Sequence, residues 1–442
     1  MTTEFSYFLD RLTRNVPQIG TWLVCGALLL TLGSLASAQS TGTFIDRWAP
    51  TDLRVVSYNI YLDSIFLDDN DGPTQAPKFV RVMQSLQPDV INLQEIYNHS
   101  ASETLSLINS ILPLEGGASW YVHKGFDNII LSKYPLTMTA TVTNPVPENT
   151  SYAIALVDLP DEKFDTDFYF MDSHFKCCGG IGSEEDMKRQ EQADALANWM
   201  RDARTPGGSV NLPADTPMAV VGDLNIVGSQ QPLDTIITGN IINEGTYGAD
   251  SPPDWDGTDL TDLHPVHNGS GAIDYTWRSG FSTSRLDFVL YTDSVTDVAN
   301  NFILNTVEMS IVDRFAAGLQ SSDVVISGSQ YDHLPIVVDF RLNIPGDYDH
   351  SGYVDELDFE TWRDNFGSDT SLYADGNANG IVDAGDYTVW RDYLGAGTPP
   401  GAGSAAAAVP EPTSAALWIF AGGIAVWSRR RRFARASFRP WF

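Results

Sequence analysis

The chain has 442 residues, 43% of them hydrophobic, enough for one large domain with appendages or for two or three ordinary ones, and this argues against wholesale disorder. A formal net charge of −31 lacks the basic footprint of a protein that grips long nucleic acid non-specifically. Three cysteines, of which Cys177 and Cys178 are adjacent, exclude a disulfide framework.

Arg11 and Arg14 precede an apolar run from Trp22 to Leu35, and Ala36-Ser37-Ala38 supplies a small-x-small cleavage site. Residues 1–38 therefore read as a secretory signal, with a retained anchor as the alternative. The region 45–343 mixes strands and helices. Leu53 to Asn59 is β-rich, Lys78 to Leu86 has helical spacing and stops before Pro88, and Asp89 to Leu93 reads as a buried strand. His123 falls in a strand, and Asn128 to Leu131 and Asp167 to Met171 are further strands. Glu184 to Arg204 is the clearest helix, with an acidic start and Thr-Pro-Gly-Gly beyond its end. Met218 to Val221, Leu286 to Tyr291 and Ile336 to Phe340 complete the strands. The stretch 230–284 is rich in Gly, Asp, Pro and Thr and reads as loops, where substrate selectivity usually lives. His264, His267 and His350 show no partner spacing and read as surface residues. Trp255, Tyr275 and Trp277 suit either substrate contact or core packing.

Polar residues fall at the ends of these strands. Asn59 ends the first, Glu95 follows the second, and His174, then Asp223 and Asn225, end later ones, while Asp332 and His333 precede the last. Strand ends gathered on one rim make a polar cluster over an apolar floor. Carboxylates and carboxamides are hard oxygen ligands for Mg²⁺ or Mn²⁺. Histidines beside carboxylates serve as general acid or base. Phosphodiester hydrolysis needs both kinds of group.

The ordered blocks Ser57-Tyr58-Asn59-Ile60, Leu93-Gln94-Glu95, Ile130-Leu131-Ser132-Lys133-Tyr134-Pro135-Leu136, Asp172-Ser173-His174-Phe175, Gly222-Asp223-Leu224-Asn225, Ser284-Arg285-Leu286-Asp287-Phe288-Val289 and Tyr331-Asp332-His333-Leu334-Pro335 resemble the endonuclease/exonuclease/phosphatase superfamily. Each block alone is weak; seven in order are specific. The resemblance implies a deoxyribonuclease I-like four-layer α/β/β/α sandwich. It implies Glu95 as the main metal carboxylate with Asn59 beside it, and Asp332 completing or extending the metal shell. Asp223 and Asn225 would hold the attacking water and the phosphoryl oxygens. His333, oriented by Asp287, would be general base or transition-state stabiliser, and His174 would contact the phosphate or protonate the leaving oxygen. Abasic-site endonucleases of the family carry Asp where this chain has Tyr61, with Asp63 two residues on; with His174, this points toward nucleases of the deoxyribonuclease type, sphingomyelinases and phosphatases. The insert Lys176-Cys177-Cys178-Gly179-Gly180 either orders the rim of the site or caps a strand. Its cysteines read as thiols, with a vicinal disulfide as the alternative.

Residues 347–394, within a module at 345–395, hold an internal duplication. Asp347, Asp349, Ser351, Asp355 and Asp358 occupy positions 1, 3, 5, 9 and 12 of one loop, and Asp375, Asn377, Asn379, Asp383 and Asp386 those of a second, with Gly352 and Gly380 at position 6. That is the spacing of a Ca²⁺ loop. A helical segment carrying Trp362-Arg363-Asp364 or Trp390-Arg391-Asp392 follows each. The pair resembles a type I dockerin, a small α-helical Ca²⁺-binding module, and implies a cohesin-like protein partner; a Ca²⁺-stabilised spacer is the alternative. Residues 396–442 run from a Gly/Ala linker through Val409-Pro410-Glu411-Pro412 and the apolar stretch Ala415 to Trp427 to Arg429-Arg430-Arg431-Arg432. This order resembles a PEP-CTERM sorting tail and implies sorting machinery as a partner; a plain tail anchor is the alternative. Either way the bulk of the chain is expected outside the cytoplasm, secreted or attached to the bacterial envelope.

The expected function is hydrolysis of phosphodiesters, nucleic acid or phospholipid. The competing readings are a phosphomonoesterase or sphingomyelinase-like phospholipase on the same fold, and a catalytically silent surface binding protein.

Overall fold

The computed structural model describes residues 42–48, 51–67, 75–143, 151–161, 163–325, 332–342, 344–349, 353–377 and 379–396. The signal, the sorting tail, Tyr331, His350, Ser351 and Gly352 lie outside the described residues. Among the described residues no helix is long and apolar enough to cross a membrane.

The chain runs from β1 (Leu53–Asn59) through α1 (Ala76–Leu86) to β2 (Val90–Gln94), then through α2 (Ala101–Ile111) to β3 (Tyr121–Lys124) and β4 (Ile129–Ser132). A meander of β5 (Leu136–Thr143), β6 (Ser151–Val157) and β7 (Phe168–His174) follows, and the long α3 (Glu184–Arg204) crosses over to β8 (Met218–Asp223). After it come α4 (Gln231–Thr238), α5 (Glu244–Tyr247), β9 (Thr261–Asp262), the hairpin of β10 (Trp277–Ser279) and β11 (Ser282–Ser284), β12 (Asp287–Tyr291), β13 (Asp297–Ile303), α6 (Ile311–Ala316) and β14 (Ile336–Arg341). Finally α7 (Glu356–Asn365) and α8 (Ala384–Tyr393) close the described chain.

Two six-stranded sheets result, ordered β13-β14-β1-β2-β4-β3 and β5-β6-β7-β8-β12-β9. Phe168 and Phe170 of the second sheet stack and meet Phe340 of the first, at 4.7 and 6.5 Å between centroids. Phe79, Val82, Met83 and Leu86 of α1 and Ile108 of α2 join the same core. The outer face of the second sheet, Tyr152, Ile154, Tyr169, Met171 and Val220, packs instead on Leu196 and Met200 of α3 and on Leu233 and Ile236 of α4. The layers are therefore α/β/β/α, as the resemblance implies. Local chemistry sets the helix ends. Ser100 and Glu103 form a capping box on α2, and Ser183 caps α3 ahead of an acidic first turn.

The stretch 230–284 is not all loop. Pro232 opens α4, Leu233 and Ile236 bury one face of it, and Gly239 at φ 70° ends it in the left-handed conformation. Those signals sit in a segment whose Gly and Asp content masks them. Residues 344–396 form two loop–helix units around Tyr348, Val354, Ala374, Val382 and Trp390. Their tryptophans are exchanged: Trp362 Nε1 donates to Asp383 O at 2.8 Å, and Trp390 Nε1 to Asp355 O at 2.7 Å.

The strand that leads to Glu95 starts next to a buried carboxylate. Asp89 accepts from Arg54 N at 2.9 Å and pairs with Arg47 Nη1 at 2.6 Å and Lys133 Nζ at 3.0 Å. Burial alone would raise its pKa; Arg47, Lys133 and Lys163 outweigh it and hold the carboxyl well below the usual carboxylate range. A depressed folded pKa contributes stability above the unfolded value of about 4, and that stability is lost as pH falls through the folded value. Asp89→Asn is therefore expected to cost about 3 kcal/mol at pH 7 in urea unfolding, with the gap to wild type closing below about pH 4. A gap independent of pH would show that the charge is not responsible.

Candidate active site

The sheets bring the ends of their central strands together. Asn59 pairs with Gln94 in the parallel register of β1 and β2, and His174 with Asp223 in that of β7 and β8. Asp287 lies opposite Asp223 on the antiparallel neighbour. His333 enters from the segment before β14, through a bridge to Trp277.

Asp223 is the meeting point. Its Oδ1 accepts from Asn225 N at 2.9 Å. Its Oδ2 accepts from Asn59 Nδ2 at 3.1 Å and lies 3.5 Å from His333 Nε2 and 3.7 Å from His174 Nε2. Each imidazole is fixed from behind by a buried carboxylate: His333 Nδ1 by Asp287 Oδ2 at 2.7 Å, and His174 Nδ1 by Asp127 Oδ2 at 2.6 Å. Burial lowers both histidines, yet the surrounding carboxylates (Asp287, Asp223 and Asp332 for His333; Asp127, Asp223 and Glu95 for His174) carry each up to about 10. Burial, countered by His333 and His174 and reinforced by Asp287 and Glu95, leaves Asp223 pushed up to about 6.

Glu95 stands at the edge of this cluster in a left-handed conformation, φ 69°. Its Oε1 accepts from Asn59 Nδ2 at 3.1 Å and its Oε2 from Leu62 N at 2.8 Å. Asp332 accepts from Trp277 Nε1 at 2.8 Å. Glu95, Asp223, Asn225, His174, Asp332 and His333 line one cleft of about 660 Å³, in which Lys176 is the single lysine or arginine among the described residues. Burial and Glu95, partly offset by His333, raise the Asp332 carboxyl. Glu95 and Asp332 offer hard oxygens of the kind that suit a small divalent cation. Asn59 Oδ1 accepts from Tyr61 N at 3.1 Å and its Nδ2 donates to two carboxylates, so its visible task is to hold Glu95 and Asp223 in register. Asn225 Nδ2 donates to Phe175 O at 3.2 Å.

The structure also supplies residues that sequence reasoning missed. Asp127 is fully buried, and Tyr97 lines the cleft wall. Asp63, the departure noted in the sequence, fastens the loop after β1 to that after β2 by accepting from Asn98 N at 2.9 Å and Tyr97 N at 3.2 Å. Arg189 of α3, fully buried, donates to Lys176 O at 2.8 Å and Cys178 O at 2.7 Å and pairs with Asp186 at 3.1 Å. Asp186 in turn takes Gly182 N and Ser229 N, both at 2.8 Å, so one buried pair fastens the chain after His174 and the chain after Asn225. The insert 176–180 thus lines the cleft and orders its rim. Trp277 also lines the cleft, whereas Trp255 donates to Thr216 O at the second core.

His267 corrects the sequence reading. It is 3% exposed, with Nε2 on Tyr275 O at 2.8 Å and Nδ1 facing Glu308 and Asn305, each at 3.1 Å. Glu308 and Asn305 lie 41 and 38 residues along the chain, so no local spacing signals them. His264 is exposed beside Asp262, and His123 sits in β3.

In the repeat module, Asp347, Asp349 and Asp358 bring one oxygen each within 4.8 Å of one another. Asp358 accepts from Tyr348 N, Asp349 N and Asp355 N. Asp386 likewise accepts from Asn377 N and Asp383 N, while Asp355 and Asp383 cap α7 and α8. Asp375 accepts from Asn379 N and Gly380 N, which curls the second loop around it.

Among solved structures, D. rerio TDP2 complexed with single strand DNA product is similar at 16% identity and a TM-score of 0.40, over 66% of this chain and 99% of that one. An endonuclease/exonuclease/phosphatase from Beutenbergia cavernae is 20% identical with a TM-score of 0.39, over 67% and 72%. The human Nocturnin catalytic domain with bound sulfate is 16% identical with a TM-score of 0.40, over 67% and 97%. No curated protein matches the chain. The family model described as Endonuclease/Exonuclease/phosphatase family matches residues 56–304, and the chain belongs to that family.

Proposed function

We propose that the protein is an exported phosphodiesterase that uses Mg²⁺ or Mn²⁺. The observation that carries this reading is one carboxylate, Asp223, set between two imidazoles that are each held by a second carboxylate. Glu95 and Asp332, with Asn59 beside them, would hold the metal ion. When bound, that ion neutralises phosphoryl charge. A water placed between Asp223 and Asn225 attacks phosphorus and passes its proton to Asp223 Oδ2. His333 Nε2 donates to a non-bridging oxygen, with Asp287 keeping the ring oriented. His174 Nε2 gives its proton to the leaving oxygen, and Asp127 stabilises the ring throughout. Export rests on the N-terminal signal and the sorting tail, whose machinery would be a partner.

The cleft wall favours one class among the substrates considered. Leu62, Tyr97, Phe175, Val227 and Trp277 line it, with Lys176 the one lysine or arginine there among the described residues. Such a wall suits an ester with an apolar or aromatic group, as in a phospholipid, better than a long polyanion. For the module, we propose Ca²⁺ in the loops of Asp347 and Asp375, with either a cohesin-like partner or a spacer role.

Full-length protein is expected to hydrolyse bis(p-nitrophenyl) phosphate with Mg²⁺ or Mn²⁺ and to lose that activity in EDTA. His333→Ala should lose roughly 10²–10⁴-fold in kcat. Asp127→Asn should resemble His174→Ala, and the double variant should be little worse than either, because the two act as one unit. Full EDTA resistance would sink the metal reading, and additive losses would separate Asp127 from His174. For the module, Ca²⁺ should raise the thermal midpoint, and Asp347→Ala with Asp375→Ala should abolish the shift; an equal shift in that variant would place the ion elsewhere.

A further inference from the structure

The two thiols beside the catalytic cluster are the feature that hydrolysis leaves unused. Cys177 and Cys178 are exposed, both line the cleft that holds His174 and Asp223, and their sulfurs lie 2.9 Å apart. Adjacent cysteines in an ordinary extended chain point to opposite sides, so this approach needs a special backbone. The chain supplies one: Cys178 has φ 71° and Gly179 φ 68°, two successive left-handed residues. A Cβ on Gly179 would lie 2.3 Å from Ser183 Oγ, so the turn is also close-packed.

That backbone is held from below. Lys176 N donates to Gln192 Oε1 at 2.8 Å, and Arg189 Nη1 binds the carbonyls of Lys176 and Cys178. The clamp presents both sulfurs together at the rim, immediately after the strand that ends in His174. The remaining cysteine of the chain, Cys25, lies in the N-terminal segment.

We propose that Cys177 and Cys178 form a redox-modifiable dithiol at the mouth of the cleft, closed into a vicinal disulfide by a low-molecular-weight disulfide, and that closure alters substrate binding. One thiolate attacks the oxidant, forming a mixed disulfide and expelling one thiol. The second thiolate attacks the protein sulfur of that bond, forming Cys177–Cys178 and expelling the second thiol. The protein loses two electrons and two protons, and one oxidant disulfide becomes two thiols. Closure replaces two movable sulfhydryls in the cleft wall with a rigid ring.

The test uses full-length Cys25→Ser protein equilibrated in oxidised glutathione, with peptide mass spectrometry of the segment that contains residues 177 and 178. The expected peptide is lighter by two hydrogen atoms and returns to the dithiol in dithiothreitol. Cys178→Ser should instead stop at one glutathione adduct. Unmodified thiols, stable double adducts or only intermolecular dimers would overturn the dithiol. The second arm, which rests on the proposed phosphodiesterase function, compares KM for bis(p-nitrophenyl) phosphate before and after oxidation. A change of about threefold or more, absent in Cys177→Ser/Cys178→Ser, is expected. A closed ring with unchanged KM would overturn the effect on binding. Absence of turnover in the reduced protein would count against the phosphodiesterase reading alone, since the mass readout stands without it.

Discussion

Asp223 Oδ2 accepts a hydrogen bond from Asn59 and faces the Nε2 atoms of His174 and His333. Asn59 belongs to the first sheet and Asp223 to the second. Their contact exists only because the two sheets pack face to face over a core that includes Phe168, Phe170 and Phe340. An ionised carboxylate buried this deeply is costly unless donors surround it. Here Asn59 Nδ2 and Asn225 N donate and the two imidazoles face the same carboxylate, so the demand for satisfaction holds these groups in one geometry. Beneath it, Gln94 of the first sheet donates to Asp172 of the second at 2.6 Å, a further polar tie across the same apolar layer.

The strands were legible because a buried strand ending in a polar residue leaves a local trace. Asn59, Glu95, His174, Asp223 and Asn225 each follow an apolar run, and the structure gathers them in one place. Asp127 left no such trace. It precedes a strand rather than ending one, and its partner His174 is 47 residues away. Arg189 was hidden differently: it lies in an evident helix, and helical spacing alone does not reveal that its guanidinium is spent on backbone carbonyls of another segment. His267 was misread as a surface residue because two of the groups around its Nδ1, Glu308 and Asn305, lie 41 and 38 positions away. The repeat module was legible as two loop–helix units because duplication supplies an internal comparison.

The site combines features that pull against a simple nuclease. Net charge is strongly negative, and Lys176 is the one lysine or arginine lining the cleft among the described residues. Positive charge at the phosphate would then come from the two imidazoles and from the metal ion rather than from a basic surface. That would place the burden of recognition on a few groups at the reacting phosphate and leave the apolar wall to choose the ester's substituents. The same wall carries the paired thiols, so recognition and redox state would meet at one rim.

Two groups of side chains could hold a metal ion: Glu95 with Asp332 and Asn59, and Asp223 with Asp287 and His333. Hydrogen bonding already engages the second group, with Asp287 on His333 Nδ1. A crystal grown with Mn²⁺ and inorganic phosphate, with anomalous data at the manganese edge, separates them. The account predicts a manganese peak between Glu95 and Asp332, with phosphate against His174 Nε2 and His333 Nε2. A peak among Asp223, Asp287 and His333, with Glu95 and Asp332 bare, would contradict it.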